Sequence, residues 1–151
     1  MKVVLQRVNK SSVKINGNIV GEIGKGYLIL LGVGNEDTEK DVEVLVDKIS
    51  KLRIFPDSDD KINLSIGEVN GEILVVSQFT LYGSCKKGNR PSFINSGKPD
   101  TANKLYEYFK EYARDKFDKV ESGVFGEDMK VELENDGPFT ILLECENGVI
   151  Y

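Results

Sequence analysis

The sequence predicts an α+β fold, and three observations carry that prediction. Two stretches place apolar residues at helical spacing. The remaining apolar stretches alternate with polar residues or form short runs bounded by Asn, Gly and Pro, as strands do. Strands and helices do not alternate strictly along the chain, which disfavours a parallel α/β sheet.

The elements follow in order. Val3, Leu5 and Val8 open the chain in a β-like pattern, and Val13 and Ile15 alternate with polar partners. Asn16-Gly17, followed by Asn18 and Ile19, signals a tight hairpin, because Asn and Gly accept positive φ angles. Gly24-Lys25-Gly26 marks another turn, and Tyr27 through Val33 reads as a fully buried strand. Thr38 then caps a helix, with Asp41 placed as in a capping box. Val42, Leu45, Val46, Ile49 and Leu52 give it one apolar face, ending near Arg53 before Pro56. Asp57-Ser58-Asp59-Asp60-Lys61 is a polar loop; it lacks the Gly and distal Glu of a calcium-binding loop and reads as a solvated turn. Asn70-Gly71 precedes a strand from Ile73 to Phe79. Residues 83–99 form a long loop with Gly83, Gly88, Pro91, Gly97 and Pro99. Loops of that length in a compact domain are commonly functional or mobile. A second amphipathic helix, from about 100 to 118, carries Leu105, Tyr108, Phe109, Tyr112, Ala113 and Phe117. Strands are predicted around Ser122–Phe125, Met129–Asn135 and Phe139–Glu146. There is no repeat and no linker, so residues 1–151 read as one domain.

Composition narrows the chemistry. The chain has no histidine, which removes the Ser-His-Asp triad, the Cys-His pair and histidine-ligated zinc. Cys85 and Cys145 have neither metal nor redox spacing and read as free thiols of a reducing cytosol. The longest apolar run, Tyr27-Leu28-Ile29-Leu30-Leu31, is far too short to span a membrane. Lys2 interrupts the N-terminus before a signal-like block forms, so a cytoplasmic location is expected. The net charge of −5 argues mildly against bulk nucleic-acid binding. The charge is uneven, however: residues 73–99 contain no acid but hold Lys86, Lys87, Arg90 and Lys98. That window is either a solvated loop or a phosphate-contacting patch.

Two short polar stretches interrupt apolar runs. Ser77-Gln78-Phe79-Thr80 ends the run Ile73-Leu74-Val75-Val76. It is either a strand end whose hydroxyls cap the next turn, or an acyl-transfer site with a backbone N–H near Phe79 holding an oxyanion. Thr80 has no histidine to activate it and makes a poor covalent nucleophile. Asn135-Asp136-Gly137-Pro138-Phe139-Thr140 separates the last two predicted strands. Gly137-Pro138 is either an ordinary turn or a rigid one that presents backbone carbonyls to an ammonium group. Phe125-Gly126-Glu127-Asp128-Met129 joins two apolar side chains through a turn, a pattern that core packing also explains.

Taken together, these motifs resemble the D-aminoacyl-tRNA deacylase family, of which D-tyrosyl-tRNA deacylase is the named activity. The match runs nearly end to end. It includes Leu5-Gln6-Arg7-Val8, Gly21 to Gly26, Lys51 to Phe55, Ser77 to Tyr82, Lys86 to Phe93, Phe125 to Met129 and Asn135 to Thr140. Phe139 stands where the family commonly has Val. The resemblance implies a β-rich, barrel-like fold flanked by helices and a cytoplasmic homodimer with its active sites at the subunit interface. It implies hydrolysis of D-aminoacyl-tRNA, and of glycine mischarged on tRNA, to free amino acid and tRNA. By this resemblance Ser77, Gln78, Phe79 and Thr80 orient water and the tetrahedral oxyanion, with help from the terminal ribose 2′-hydroxyl. A Gly-cisPro turn at Gly137 and Pro138 reaches into the other subunit, holds the α-ammonium and rejects L side chains. Phe125 and Met129 line the adenosine or aminoacyl pocket, and Lys86, Lys87 and Arg90 meet tRNA phosphates. Two rivals are a non-catalytic RNA-binding module and a hydrolase using Thr80 as nucleophile.

No cofactor or metal is expected, because no Cys/Asp/Glu cluster has ligand spacing. Hydrolysis of D-aminoacyl-tRNA should therefore survive exhaustive chelation. Loss of activity with specific rescue by one divalent metal would overturn this.

Overall fold

The computed structural model describes residues 1–151. Strand β1 (Lys2–Ile15) is long and bent, and it organises the sheet. Its first half pairs antiparallel with β3 (Gly26–Gly32), from Lys2–Gly32 to Val8–Gly26. Its second half pairs with β2 (Asn18–Ile23) through the Asn16-Gly17 hairpin, where both residues have positive φ. Its other edge is covered by β8 (Lys130–Glu146) along nearly its whole length. On the far side of β3, β6 (Glu72–Ser77) and β7 (Val120–Ser122) add in parallel. The sheet order is β7-β6-β3-β1-β8-β9, with β9 (Val149–Ile150) at the edge and β2 on the bent half of β1. A Cβ on Gly21 would stand 2.8 Å from the Ser122 carbonyl oxygen, so β2 swings close to β7 and curls the sheet into a half-barrel.

Alternation decides what each face buries. Val3, Leu5, Tyr27, Ile29, Leu31, Ile73 and Val75 face helices α1 (Glu39–Lys51) and α2 (Pro99–Arg114) in the main core. The helices contribute Val42, Leu45, Val46 and Ile49, and Ala102, Leu105, Tyr106 and Phe109. The capping box at α1 forms as expected: the Asp41 carboxylate accepts from the Thr38 N–H and hydroxyl at 2.8 and 2.9 Å. A smaller core of Val8, Val13, Ile23, Leu28, Leu74 and Val76 fills the curl of the half-barrel.

Several boundaries differ from the sequence expectation, each for a physical reason. Helix α1 stops at Lys51 because Arg53 enters β4 (Arg53–Pro56), which pairs with β5 (Ile62–Ser65) around the polar Asp57–Lys61 turn. These two strands are too short to show a period. Helix α2 ends at Arg114, and Phe117 reaches the core from the turn beyond it. Strand β6 ends at Ser77, where Phe79–Tyr82 winds into a 3₁₀ turn. The strand predicted near Ser122–Phe125 is instead β7, which ends at Ser122. The two last predicted strands are one continuous β8, with residues 136–139 excluded from its register against β1. No helix is long and apolar enough to cross a membrane.

The Tyr27 ring stacks on Phe55 at 5.3 Å between centroids, but its buried hydroxyl has no hydrogen-bond partner. An unsatisfied buried hydroxyl costs on the order of 1–3 kcal/mol. Tyr27→Phe keeps the stack and removes that cost. Urea denaturation should show unchanged or higher stability; a loss above about 1 kcal/mol would show that the hydroxyl is bonded.

Candidate active site

The first motif is shaped by how β6 ends. Ser77 is its last residue, opposite Leu31 in β3, and the Gln78 N–H donates to the Leu31 carbonyl at 2.8 Å. The chain then turns: the Leu81 N–H reaches the Gln78 carbonyl at 3.2 Å, and the Gly83 N–H the Thr80 carbonyl at 2.9 Å. The first N–H groups of any helical turn lack intrahelical acceptors, and those of Phe79 and Thr80 hold that position. The Gln78 amide donates to the Thr80 hydroxyl, which fixes both side chains on one side of the turn. Tyr82 closes the turn, donating to Asp37 at 3.3 Å.

Beside this turn lies a cleft of about 660 Å³. Ser77, Gln78 and Phe79 form one wall, and Phe125 and Met129 another. The start of α2, with Lys98, Pro99 and Ala102, forms a third. The Tyr106 hydroxyl ties all three together. It lies 3.0 Å from the carbonyls of both Val75, on β6, and Gly123, which leads into the Phe125–Met129 segment. Burial pushes the Tyr106 hydroxyl up from its ordinary range, and burial together with Asp37 does the same for Tyr82. Neither supplies a phenolate near neutral pH. Around the turn itself the resources are backbone N–H groups, hydroxyls and an amide, while Lys98 and Glu127 stand on the other walls of the cleft. A larger cleft of about 790 Å³ between the β1–β2 hairpin and β8 contains none of the predicted site residues.

The second motif is the excursion from β8. Asn135 clasps its base: the Asn135 carboxamide oxygen accepts the Phe139 N–H at 2.6 Å, and its Nδ2 donates to the Phe139 carbonyl at 3.3 Å. The Gly137–Pro138 bond is cis, and Gly137 has φ +145°, which favours glycine. Arg7 holds the excursion from below. Its Nε donates to the Asp136 carbonyl at 3.0 Å and pairs with the Asp136 carboxylate at 3.3 Å. Its Nη1 donates to the Ile54 carbonyl in β4, and its guanidinium lies 4.7 Å from the Phe139 ring centre. Sequence reading passed over Arg7 as a site residue. The available signal was an arginine continuing the inward series Val3, Leu5.

The two motifs do not meet within one chain. The excursion lies beside Arg7, whose register partners run to Tyr27 and Ile73, whereas Ser77 aligns with Leu31 and Val3. That is four residues along the strands, roughly 13 Å, and three strand spacings across the sheet, roughly 14 Å. Lys86, Lys87 and Arg90 are exposed in the loop after the Phe79–Tyr82 turn, outside the cleft. Mutual bonds between the Ser84 and Ser92 backbones, 2.8 and 2.9 Å, close the base of that loop.

The family model for D-Tyr-tRNA(Tyr) deacylase matches residues 4–144. The chain belongs to the D-Tyr-tRNA(Tyr) deacylase family. A relative from Thermosipho melanesiensis, named D-aminoacyl-tRNA deacylase, is 57% identical over 97% of this chain and 98% of its own. One of the same name from Clostridioides difficile is 54% identical over 98% of this chain and 99% of its own. A solved structure titled c-Myc DNA Unwinding Element Binding Protein aligns with TM-score 0.91 and 41% identity, over 97% of this chain and 99% of that one. A probable eukaryotic D-amino acid tRNA deacylase, 21% identical over 93% of this chain and 97% of its own, shares the fold at TM-score 0.81. Membership makes this deacylase-family chain an enzyme of the hydrolase class.

Arg7 is the buried brace between β4 and the Gly137-Pro138 excursion of this family member. Removing it strands the Asp136 and Ile54 carbonyls. Arg7→Met should cost about 1–3 kcal/mol in chemical denaturation, the cost of leaving buried carbonyls unpaired, and Arg7→Lys less, because the charge persists with fewer aligned donors. A cost below about 1 kcal/mol for Arg7→Met would remove Arg7 from this role.

Proposed function

We propose that this chain hydrolyses the ester joining a D-amino acid, or glycine, to the 3′ end of tRNA, releasing free amino acid and intact tRNA. Water attacks the ester carbon, and the tetrahedral oxyanion forms against the backbone N–H groups of Phe79 and Thr80. Ser77 and Gln78 orient the reacting groups, and the terminal ribose 2′-hydroxyl assists, so no side-chain general base is required. The terminal adenosine enters the cleft between Phe79, Phe125 and Met129. Lys86, Lys87 and Arg90 hold phosphates of the acceptor stem as point charges.

The carbonyls of Gly137 and Pro138 hold the α-ammonium. Residues 136–139 stand outside the β1–β8 register, and this supports that role. Fixed backbone carbonyls define the direction of the ammonium, and an L side chain would then point into the turn. Selectivity follows from exclusion.

The observation that carries the reading is the separation of the motifs across one sheet. It supports a homodimer in which each excursion completes the partner's cleft. A second observation points the same way. Leu142, Val4 and Leu30 are register neighbours and form one apolar row on the open face, which runs on to the buried Val76. Leu142 there is 70% exposed, which a second copy would cover.

The test is deacylation of D-tyrosyl- and L-tyrosyl-tRNA. The wild type should act on the D form only. A Cβ on Gly137 would stand 2.9 Å from the Phe139 nitrogen, in a backbone region unsuited to L residues. Gly137→Ala should therefore slow D-tyrosyl release at least about tenfold, the loss that follows misplacement of a reacting group. Mixing Gly137→Ala subunits with Gln78→Ala subunits, which lack the orienting amide, should restore part of the rate, since mixed dimers contain one intact site. Full rate and selectivity in Gly137→Ala, or a fully active monomer, would overturn the reading.

A further inference from the structure

We propose that Phe93 is a stacking platform for the base of the penultimate nucleotide, with Lys98 beside the phosphate that joins it to the terminal adenosine. This rests on the reading that the cleft takes the terminal nucleotide.

The argument begins with an exposed aromatic pair. Phe79 and Phe93 are 53% and 37% exposed, and their rings meet edge to face at 5.1 Å and 64°. In that geometry Phe93 keeps a ring face free. Its position is fixed from both sides. The Ser84–Ser92 bridge ends immediately before it, and a Cβ on Gly83 would lie 3.0 Å from its ring. Phe93 therefore stands between the basic loop and the cleft, and it lines that cleft. A single-stranded 3′ end running from phosphate contacts on Lys86, Lys87 and Arg90 into the cleft passes over it.

The chemistry of the surroundings suits that occupant. Residues 73–99 contain no acid, and Lys98 lines the same cleft. Glu127 is the one carboxylate on the cleft wall, on the Phe125–Met129 side. An aromatic face beside cations is how single-stranded nucleic acid is held without reading its sequence; each stacked base contributes roughly five- to hundredfold in affinity.

The experiment compares two substrates, D-tyrosyl-tRNA and the D-tyrosyl ester of adenosine alone, which has no penultimate base. Phe93→Leu should lower kcat/KM on the tRNA tenfold or more and leave the adenosine ester within twofold. Phe93→Tyr should preserve both. Equal loss on both substrates would make Phe93 a prop for Phe79 and overturn the proposal, as would no loss on the tRNA. A change of oligomeric state in Phe93→Leu would assign the residue to a subunit interface and also overturn it. If the wild type hydrolyses neither substrate, the deacylase reading itself fails, and this inference falls with it.

Discussion

The site region depends on one buried guanidinium. Arg7 sits on the core-facing side of β1, 8% exposed, where the alternation calls for an apolar residue. Desolvating that charge is costly, and the cost is offset only by good hydrogen bonds on several sides. The Asp136 and Ile54 carbonyls supply the hydrogen bonds, and the Asp136 carboxylate and the Phe139 ring add an ion pair and a cation–π contact. The same bonds fix the excursion from β8 and join it to the β4–β5 hairpin. Four residues are thereby held out of the ladder that pairs β8 with β1 from Lys130 to Glu144.

The rest of the site is built largely from backbone, in keeping with a chain that lacks histidine. Side-chain acids and bases need tuned titration. Backbone N–H and carbonyl groups need only to be aimed, and they stay aimed as long as the turn persists. In the proposed site, neutral contacts hold these groups alongside Arg7: Gln78 on Thr80, Asn135 on Phe139, and Tyr106 across Val75 and Gly123. Polar networks of this kind are strong only when every member is satisfied.

The open face of the half-barrel follows from the same topology. The two helices, with Ile54, Phe55 and Ile66, pack on one face of the sheet, while the curl of β1 and β2 covers only part of the other. The uncovered part carries the row through Leu142, Val4 and Leu30, next to the cleft wall at Val76. This is the face that the proposed homodimer would cover.

What the sequence by itself determined was local. The capping box at Thr38, the Asn16-Gly17 hairpin, the apolar faces of both helices and the two polar motifs were legible because each is written within a few neighbouring residues. The half-barrel was reached only through resemblance to a family. Arg7 was not legible as a brace, because its partners stand 47 and 129 positions away. The unity of β8 was hidden as well: Gly and Pro ordinarily end strands, and only the long register against β1 carries the chain through them. The cleft was decided by tertiary structure alone. Its walls come from β6, the start of α2 and the segment after β7, and a single tyrosine hydroxyl links those segments. Local propensity acts over one turn of backbone, whereas a site is made of contacts that exist only once distant segments have packed.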